Sequence, residues 1–324
     1  MADKLRAAVI GASGIGKHHA KWYHLGACEV VAFVGTSPES TEKTAETLRG
    51  IFDLRGCAYT NVSEMLAKER PDLVSVCSPP ALHVEHANAA LEAGVHVLCE
   101  KPLVWDWDLE GNEMLAKARS MVDLAEKKGL QLAVNTQYGA GISGYRALHE
   151  RGRGPLTEVE TFLFEMDSKG GRGKREWELI WVELSSHSLA VLMKLVPDGM
   201  IDESTVDCRI ERKRTTAEFD YVRPDGTRVK ARISHGNIAE GVPPRRFGVN
   251  DFIVNYEGRN DENSVYCAFL EREGQEEKLK DFMQESLERF IAAARGDGQV
   301  LCTGREGLAN LEMQIRLLAL GRRA

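Results

Sequence analysis

The sequence predicts an α/β protein: a doubly wound parallel sheet at the N-terminus, then an α/β domain on a mostly antiparallel sheet. Three observations predict it. Between residues 5 and 135, short apolar runs alternate with helical patterns. A glycine-rich turn joins the first run to the first helix. After residue 145, strand-like segments follow one another, and Asp225-Gly226 between two of them is a hairpin signal.

Taken in order, Leu5 to Ile10 is a strand stopped by Gly11, and a helix runs from about Gly14 to Leu25. Glu29 to Val34 is a second strand, and Ser40 to Arg49 a second helix. Asn61 to Glu69 is a helix that Asn61 or Ser63 can cap. Leu73 to Cys77 is a strand ending at Ser78-Pro79-Pro80; His83 to Ala93 is a helix closed by Gly94. Val95 to Cys99 is a strand running into Glu100-Lys101-Pro102, followed by a helix over Gly111 to Lys128 and a strand over Gln131 to Asn135. Apolar strands alternating with helices mean a parallel sheet covered on both faces, which binds ligands beyond the carboxyl ends of its strands.

The second part has a helix from Tyr145 to Arg151 and strands at Thr157–Glu165, Val206–Arg212, Glu218–Val222, Val229–Ser234, Phe252–Tyr256 and Val265–Leu270. Helices are expected over Val182–Val196, Glu276–Arg295 and Glu306–Leu320. The boundary falls between Asn135 and Tyr145, dividing the chain into residues 1–137 and 138–324.

The chain has 324 residues, 43% hydrophobic and 28% charged, the balance of a globular protein with a sizeable core. A net charge of −7 disfavours nucleic-acid and anionic-membrane binding, which need clustered cations. Seven cysteines, no two closer than 20 residues, give no zinc knuckle or CxxC pair, and fit a reducing cytosol. No apolar run approaches a membrane span, and the start shows no signal-peptide core, so a cytoplasmic location is expected.

Gly11-Ala12-Ser13-Gly14-Ile15-Gly16 is the first candidate site. Glycines let backbone approach a pyrophosphate, and the helix N-terminus offers N–H groups and partial positive charge. A strict G-x-G-x-x-G would have glycine where Ser13 stands, and a tight turn without ligand is the plain alternative. No acid stands at Gly35-Thr36-Ser37, the end of the second strand. An acid there would repel a 2′-phosphate, so its absence tilts the reading from NAD slightly towards NADP, with Thr36 and Ser37 as hydroxyl donors and Lys43 nearby.

Glu100-Lys101 stands at another strand end, where a lysine can polarise a substrate hydroxyl or carbonyl; a solvated turn is the alternative. Glu183 and His187, four apart on a helix, share a face. The imidazole can pass a proton near neutral pH. A surface pair, a packed polar face and half a metal site compete, and no third or fourth ligand can be nominated, so no metal is assigned. His83, after Ser78 and Pro79, could contact a cofactor; His86 reads as surface, and His18 and His19 as packing.

The turn GASGIG, the strand end CSPPALH, the run AGVHVLCEKP and the later carboxylate-x-x-x-His resemble the Gfo/Idh/MocA oxidoreductases. LHERGRGPLTEV (148–159) and TGREGLANLEMQI (303–315) extend the resemblance along the chain. It implies a Rossmann domain, a C-terminal domain with a large open sheet, and NAD(P)-linked oxidation or reduction of a sugar, polyol or similar small molecule. It assigns Lys101 as the polarising lysine, His187 as acid/base and Glu183 as the carboxylate beside it. It puts Glu100 by the nicotinamide ribose. With the turn and strand ends read above, the residues expected at the cofactor are Gly11, Ser13, Gly14, Ile15, Gly16, Thr36, Ser37, Ser78, Pro79, His83, Glu100 and Lys101. Lys101 and His187 are then expected to meet over one nicotinamide, in a homodimer or homotetramer.

Three features depart from the family's pattern. Glu183 replaces the usual aspartate, Leu179-Ile180-Trp181-Val182 replaces a glycine cluster, and Asn135-Thr136-Gln137-Tyr138 lacks a frequent arginine. A carboxylate displaced by about 1 Å can cost ~10²-fold in rate where geometry is critical. Two other readings use the same features: transient oxidation with cofactor recycling in an elimination, epimerisation or glycoside cleavage, and a cofactor-binding regulator without turnover. The stretch SKGGRGKR (168–175) is expected to be a loop over the site.

Overall fold

Apolar runs before residue 136 become the strands of one parallel sheet in the computed structural model, which describes residues 4–169 and 177–324. These are β1 (Arg6–Ile10), β2 (Glu29–Val34), β3 (Cys57–Tyr59), β4 (Leu73–Val76), β5 (His96–Cys99) and β6 (Leu132–Val134). Their order is β3-β2-β1-β4-β5-β6, every pair parallel. The chain leaves β1 towards one edge and returns at β4 towards the other. The crevice between β1 and β4 is therefore the switch point, open beyond the strands' carboxyl ends.

The intervening helices are α1 (Gly16–Leu25), α2 (Pro38–Arg49), α3 (Val62–Glu69), α4 (His83–Glu92) and α5 (Gly111–Lys127). Their starts follow from local chemistry. Asn61 caps α3 by accepting from the Glu64 N–H at 2.8 Å. Ser37 and Ser40 form a reciprocal capping box before α2, with Pro38 as its first residue. Arg70 ends α3 in the left-handed region.

The second sheet has nine strands in the order β14-β13-β12-β11-β7-β10-β9-β8-β15. They are β7 (Thr161–Lys169), β8 (Met200–Glu211), β9 (Arg214–Val222), β10 (Arg228–Ile238), β11 (Arg245–Val249), β12 (Phe252–Asn260), β13 (Tyr266–Arg272), β14 (Gln275–Lys280) and β15 (Arg322–Arg323). Pairing is antiparallel except between β10 and β7 and between β15 and β8. One face packs against α6 (Ile142–Arg153) and α7 (Leu179–Leu195), the latter buried along most of its length. Outward-facing charges pair across strands on the other, as in Arg246 with Glu165, Arg232 with Glu218, and Arg228 with Asp202 and Asp220. The predicted class, a parallel doubly wound sheet with a mostly antiparallel α/β partner, is the one observed.

Packing divides the chain into two units, residues 1–136 with 283–309, and residues 137–282 with 310–324. The chain-order division puts 283–309 in the second domain. In the fold, Met283, Leu287, Phe290 and Ile291 of α8 (Phe282–Ala294) share a core with Ala7, Val9, Phe33 and Leu98. The helix expected over Glu276–Arg295 is corrected. Glu273 and Gly274 make a left-handed turn that folds residues 275–280 back as β14 on β13, and helix begins only at Phe282. Strands β3, β11, β14 and β15 are additional to those expected. Residues 170–175 of the expected loop lie outside the described residues; Ser168 and Lys169 close β7. No helix of the described residues is long and apolar enough to cross a membrane.

Candidate active site

The glycine turn is shaped by exclusion. Gly11 has φ +87°, and a Cβ there would lie 2.6 Å from the Cys77 carbonyl oxygen on the neighbouring strand end. A Cβ on Gly16 would lie 2.5 Å from the Gly11 oxygen and 2.9 Å from Val9. Gly14 is the opposite case, for a Cβ there meets nothing within 4 Å. The first two glycines let β1, the turn and α1 close tightly, and the third leaves space in front of the backbone. Ser13, Gly14 and Ile15 are exposed. No side chain caps α1, and its first turn carries no acid. That combination fits an anionic diphosphate, which needs close backbone, N–H donors and no competing carboxylate.

At the end of β2, Thr36 is exposed, with its hydroxyl 3.2 Å from that of Ser40. Ser37 accepts from the Ser40 N–H at 3.1 Å, so its side chain serves the cap of α2. Lys43 pairs with Glu39 at 2.7 Å.

At the end of β4, His83 is buried with both ring nitrogens against backbone carbonyls, Pro102 at 2.9 Å and Ser78 at 2.8 Å. Burial lowers its pKa, against the pull of those carbonyls. The ring ties the turn after Lys101 to the end of β4. His86, read as surface, lies 2.9 Å from the Ser78 hydroxyl.

Glu100 and Lys101 follow β5. Glu100 is buried, and its Oε1 accepts from Asn135 Nδ2 at 2.6 Å and lies 2.9 Å from His19 Nε2. Its Oε2 accepts from the Lys101 backbone N–H at 3.2 Å. His19 Nδ1 lies 2.9 Å from the Ser75 hydroxyl, which is 2.7 Å from that of Tyr23. Burial alone would raise the Glu100 pKa. The His19 contact, the Lys101 charge and the Asn135 bond outweigh it and hold the carboxyl at about 2. The partly exposed Lys101 thus leaves a strand end anchored by an ionised carboxylate.

His19, Ser75 and Asn135 were absent from the sequence-derived site. The available signal was Ser75, a polar residue inside the strand Leu73–Val76: buried on both faces, its hydroxyl requires a partner.

Glu183 and His187 lie on α7, in the second unit. The spacing puts them on one helix face; Glu183 is half-buried and His187 buried. The His187 ring is 5.0 Å from that of Tyr138, which also meets Tyr256 at 5.2 Å, Phe282 at 5.6 Å and Phe164 at 5.7 Å. Burial raises the Tyr138 pKa to about 12, with the Arg245 charge opposing. Gln314 donates to the Val182 carbonyl at 3.0 Å and the Ser185 hydroxyl at 2.7 Å. Asn310 donates to the Ser186 carbonyl at 2.9 Å, and Trp181 Nε1 to the Gln314 carbonyl at 3.0 Å. These bonds fix the rotation of α7, and with it where Glu183 and His187 point. Among the described residues, no cluster of three His, Cys, Asp or Glu could hold a metal.

Residues 5–136 match the GFO_IDH_MocA family model, described as an oxidoreductase family with an NAD-binding Rossmann fold. A D-glucoside 3-dehydrogenase of Escherichia coli (strain K12) is 32% identical over 157 residues, 48% of this chain and 41% of that one. A UDP-N-acetylglucosamine 3-dehydrogenase of Acidithiobacillus ferrooxidans is 31% identical over 130 residues, 40% of this chain and 36% of that one. The matched segments span about two fifths of those relatives' own length. The solved structure of the Acidithiobacillus enzyme superposes with a TM-score of 0.74, at 19% identity and 98% coverage of both chains. A 3-ketoreductase from Actinomadura kijaniata, solved with NADP and TDP-benzene, gives 0.74 at 17% identity and 99% coverage of both. At such identities these two structures establish shared fold.

Proposed function

From the match of residues 5–136 to the GFO_IDH_MocA family model, we propose that the chain is an NAD(P)-dependent dehydrogenase or reductase of a sugar, polyol or related hydroxy or keto compound. The observation that carries the reading is the cradle at the β1–β4 switch point, closed by Gly11 and Gly16 and open at Gly14, with Lys101 at a neighbouring strand end. In this reading Gly11, Ser13, Gly14, Ile15 and Gly16 hold the diphosphate, and Thr36 and Ser37 face the adenosine ribose. Ser78, Pro79 and Glu100 border the nicotinamide end, where His83 keeps the turn in place. The bound nicotinamide supplies or accepts a hydride.

Lys101 donates a charge-assisted hydrogen bond to the reacting oxygen and stabilises negative charge as it develops there. His187 takes or returns the hydroxyl proton, and Glu183 orients the imidazole or the substrate. General acid–base help of this kind supplies about 10²–10⁴ in rate. The absence of an acid at Thr36-Ser37 supports NADP over NAD.

Lys101→Ala tests the reading. It should reduce turnover at least 10²-fold while cofactor affinity, followed by nicotinamide fluorescence, changes little. Full activity in that variant refutes the role of Lys101.

A further inference from the structure

Strand β11 alternates, as any strand must. Phe247 and Val249 point into the core beside Tyr145, opposite Phe164 and Phe162 of β7. Arg246 points the other way and pairs with Glu165. Arg245 therefore belongs to the inward row, where the pattern calls for an apolar side chain. Its guanidinium is 5.9 Å from the Tyr256 ring centroid, and its charge is felt at the Tyr138 hydroxyl. Tyr138 is the ring that touches His187.

The other arginines set against aromatic rings differ in one respect. Arg259, over Phe269 at 3.4 Å, pairs with Glu276; Arg272, over Phe252 at 4.3 Å, pairs with Glu273; Arg323, near Trp177, pairs with Glu178. Among the described residues Arg245 has no ion pair, and its partner is the neutral Tyr138 hydroxyl. At 5.9 Å the ring contact is at the outer limit of a cation–π interaction. A half-buried guanidinium that donates to the neutral Tyr138 hydroxyl keeps further N–H groups for an anion, and its planar fork matches a carboxylate or phosphate.

We propose that Arg245 binds an anionic group of the substrate, a carboxylate or a phosphate on a sugar-like molecule whose reacting hydroxyl is served by His187. The inference rests on the dehydrogenase reading and narrows its substrate class to acidic sugars. Tyr138 and Tyr256 supply the flat surface between the two polar ends.

The test is calorimetric titration of the full chain, saturated with NADP or NAD, against matched sets: D-glucose, D-glucuronate and D-glucose 6-phosphate, and the galacto and manno equivalents. In at least one set an anion should bind tenfold or more tightly than its neutral partner. The uronate and phosphate arms identify which anion is meant. Arg245→Gln should abolish that preference, and Arg245→Lys, which keeps charge but loses the fork, should retain part of it. If the Gln variant does not fold, the Lys variant decides by a several-fold loss.

No preference in any set, or a preference untouched by both substitutions, overturns the proposal. Turnover of neutral sugars without an anion preference would sink this inference and leave the dehydrogenase reading standing. Arg245-dependent anion binding without hydride transfer would do the reverse.

Discussion

His19 and Glu100, 81 positions apart in the chain, meet as a buried pair with Nε2 2.9 Å from Oε1. The contact joins the first turns of α1 to the end of β5, so the segment after the glycine turn and the segment bearing Lys101 are held by one buried side-chain contact.

Removing one member of such a pair leaves the other buried and poorly compensated. His19→Ala should destabilise the protein by about 3 kcal/mol, measured by chemical denaturation. Glu100→Gln keeps the shape and the Asn135 contact, and should cost less. Equal stability of His19→Ala and the parent would show that the pair holds nothing.

Gly14 and Gly16 separate folding from cofactor binding. Gly16→Ala places a methyl 2.5 Å from a backbone oxygen and should lower the melting temperature by several degrees. Gly14→Ala meets no protein atom. It should melt normally and weaken cofactor binding at least tenfold, because its methyl fills space proposed for the diphosphate. Unchanged cofactor affinity in a folded Gly14→Ala protein would remove the diphosphate from the turn.

Ser37→Asp probes cofactor choice. Aspartate is as good an N-cap as serine, so α2 should survive. The new carboxylate would repel a 2′-phosphate and accept from ribose hydroxyls. The ratio of NADP to NAD affinity should fall tenfold or more in paired titrations; no change would place the adenosine ribose elsewhere.

Acid should destabilise the fold in two windows. Burial lowers the His235 pKa from 6.5 to about 3, so the unfolded chain takes a proton there that the folded chain refuses. Stability therefore falls as pH drops from about 6.5 towards 3, by up to about 1.4 kcal/mol per unit. His83, His86 and His96, also lowered by burial, add to the slope. Glu100 acts lower. Its folded pKa of about 2 is depressed from 4.5, so its stabilisation is present above 4.5 and lost as pH falls through that range. Denaturation at stepped pH should show His235→Gln flattening the upper window and Glu100→Gln the lower one.

Much of this was legible locally. Continuous apolar runs at β1, β2, β4 and β5 announced a sheet buried on both faces, and Asn61 announced its cap. The strand β11 did not announce itself, because Arg245-Arg246 open it and Gly248 interrupts it, so its residues carry little strand signal. In β14, the run Gln-Glu-Glu-Lys-Leu-Lys has helical propensity, and pairing with β13 overrode it. His19 looked like packing because its partners, Ser75 and Glu100, are remote in sequence.

The amino-acid order by itself settled what each segment buries and where the chain must turn, since periodicity, caps and glycines act over a few residues. Which distant segments share a core was decided by tertiary structure alone. Residues 283–309 joining the first unit, Glu100 kept ionised among His19 and Asn135, and Arg245 pointing inward beside Tyr138 all depend on pairings across tens to hundreds of residues. Burial and charge compensation are properties of neighbours in space, and a linear pattern carries no record of those neighbours.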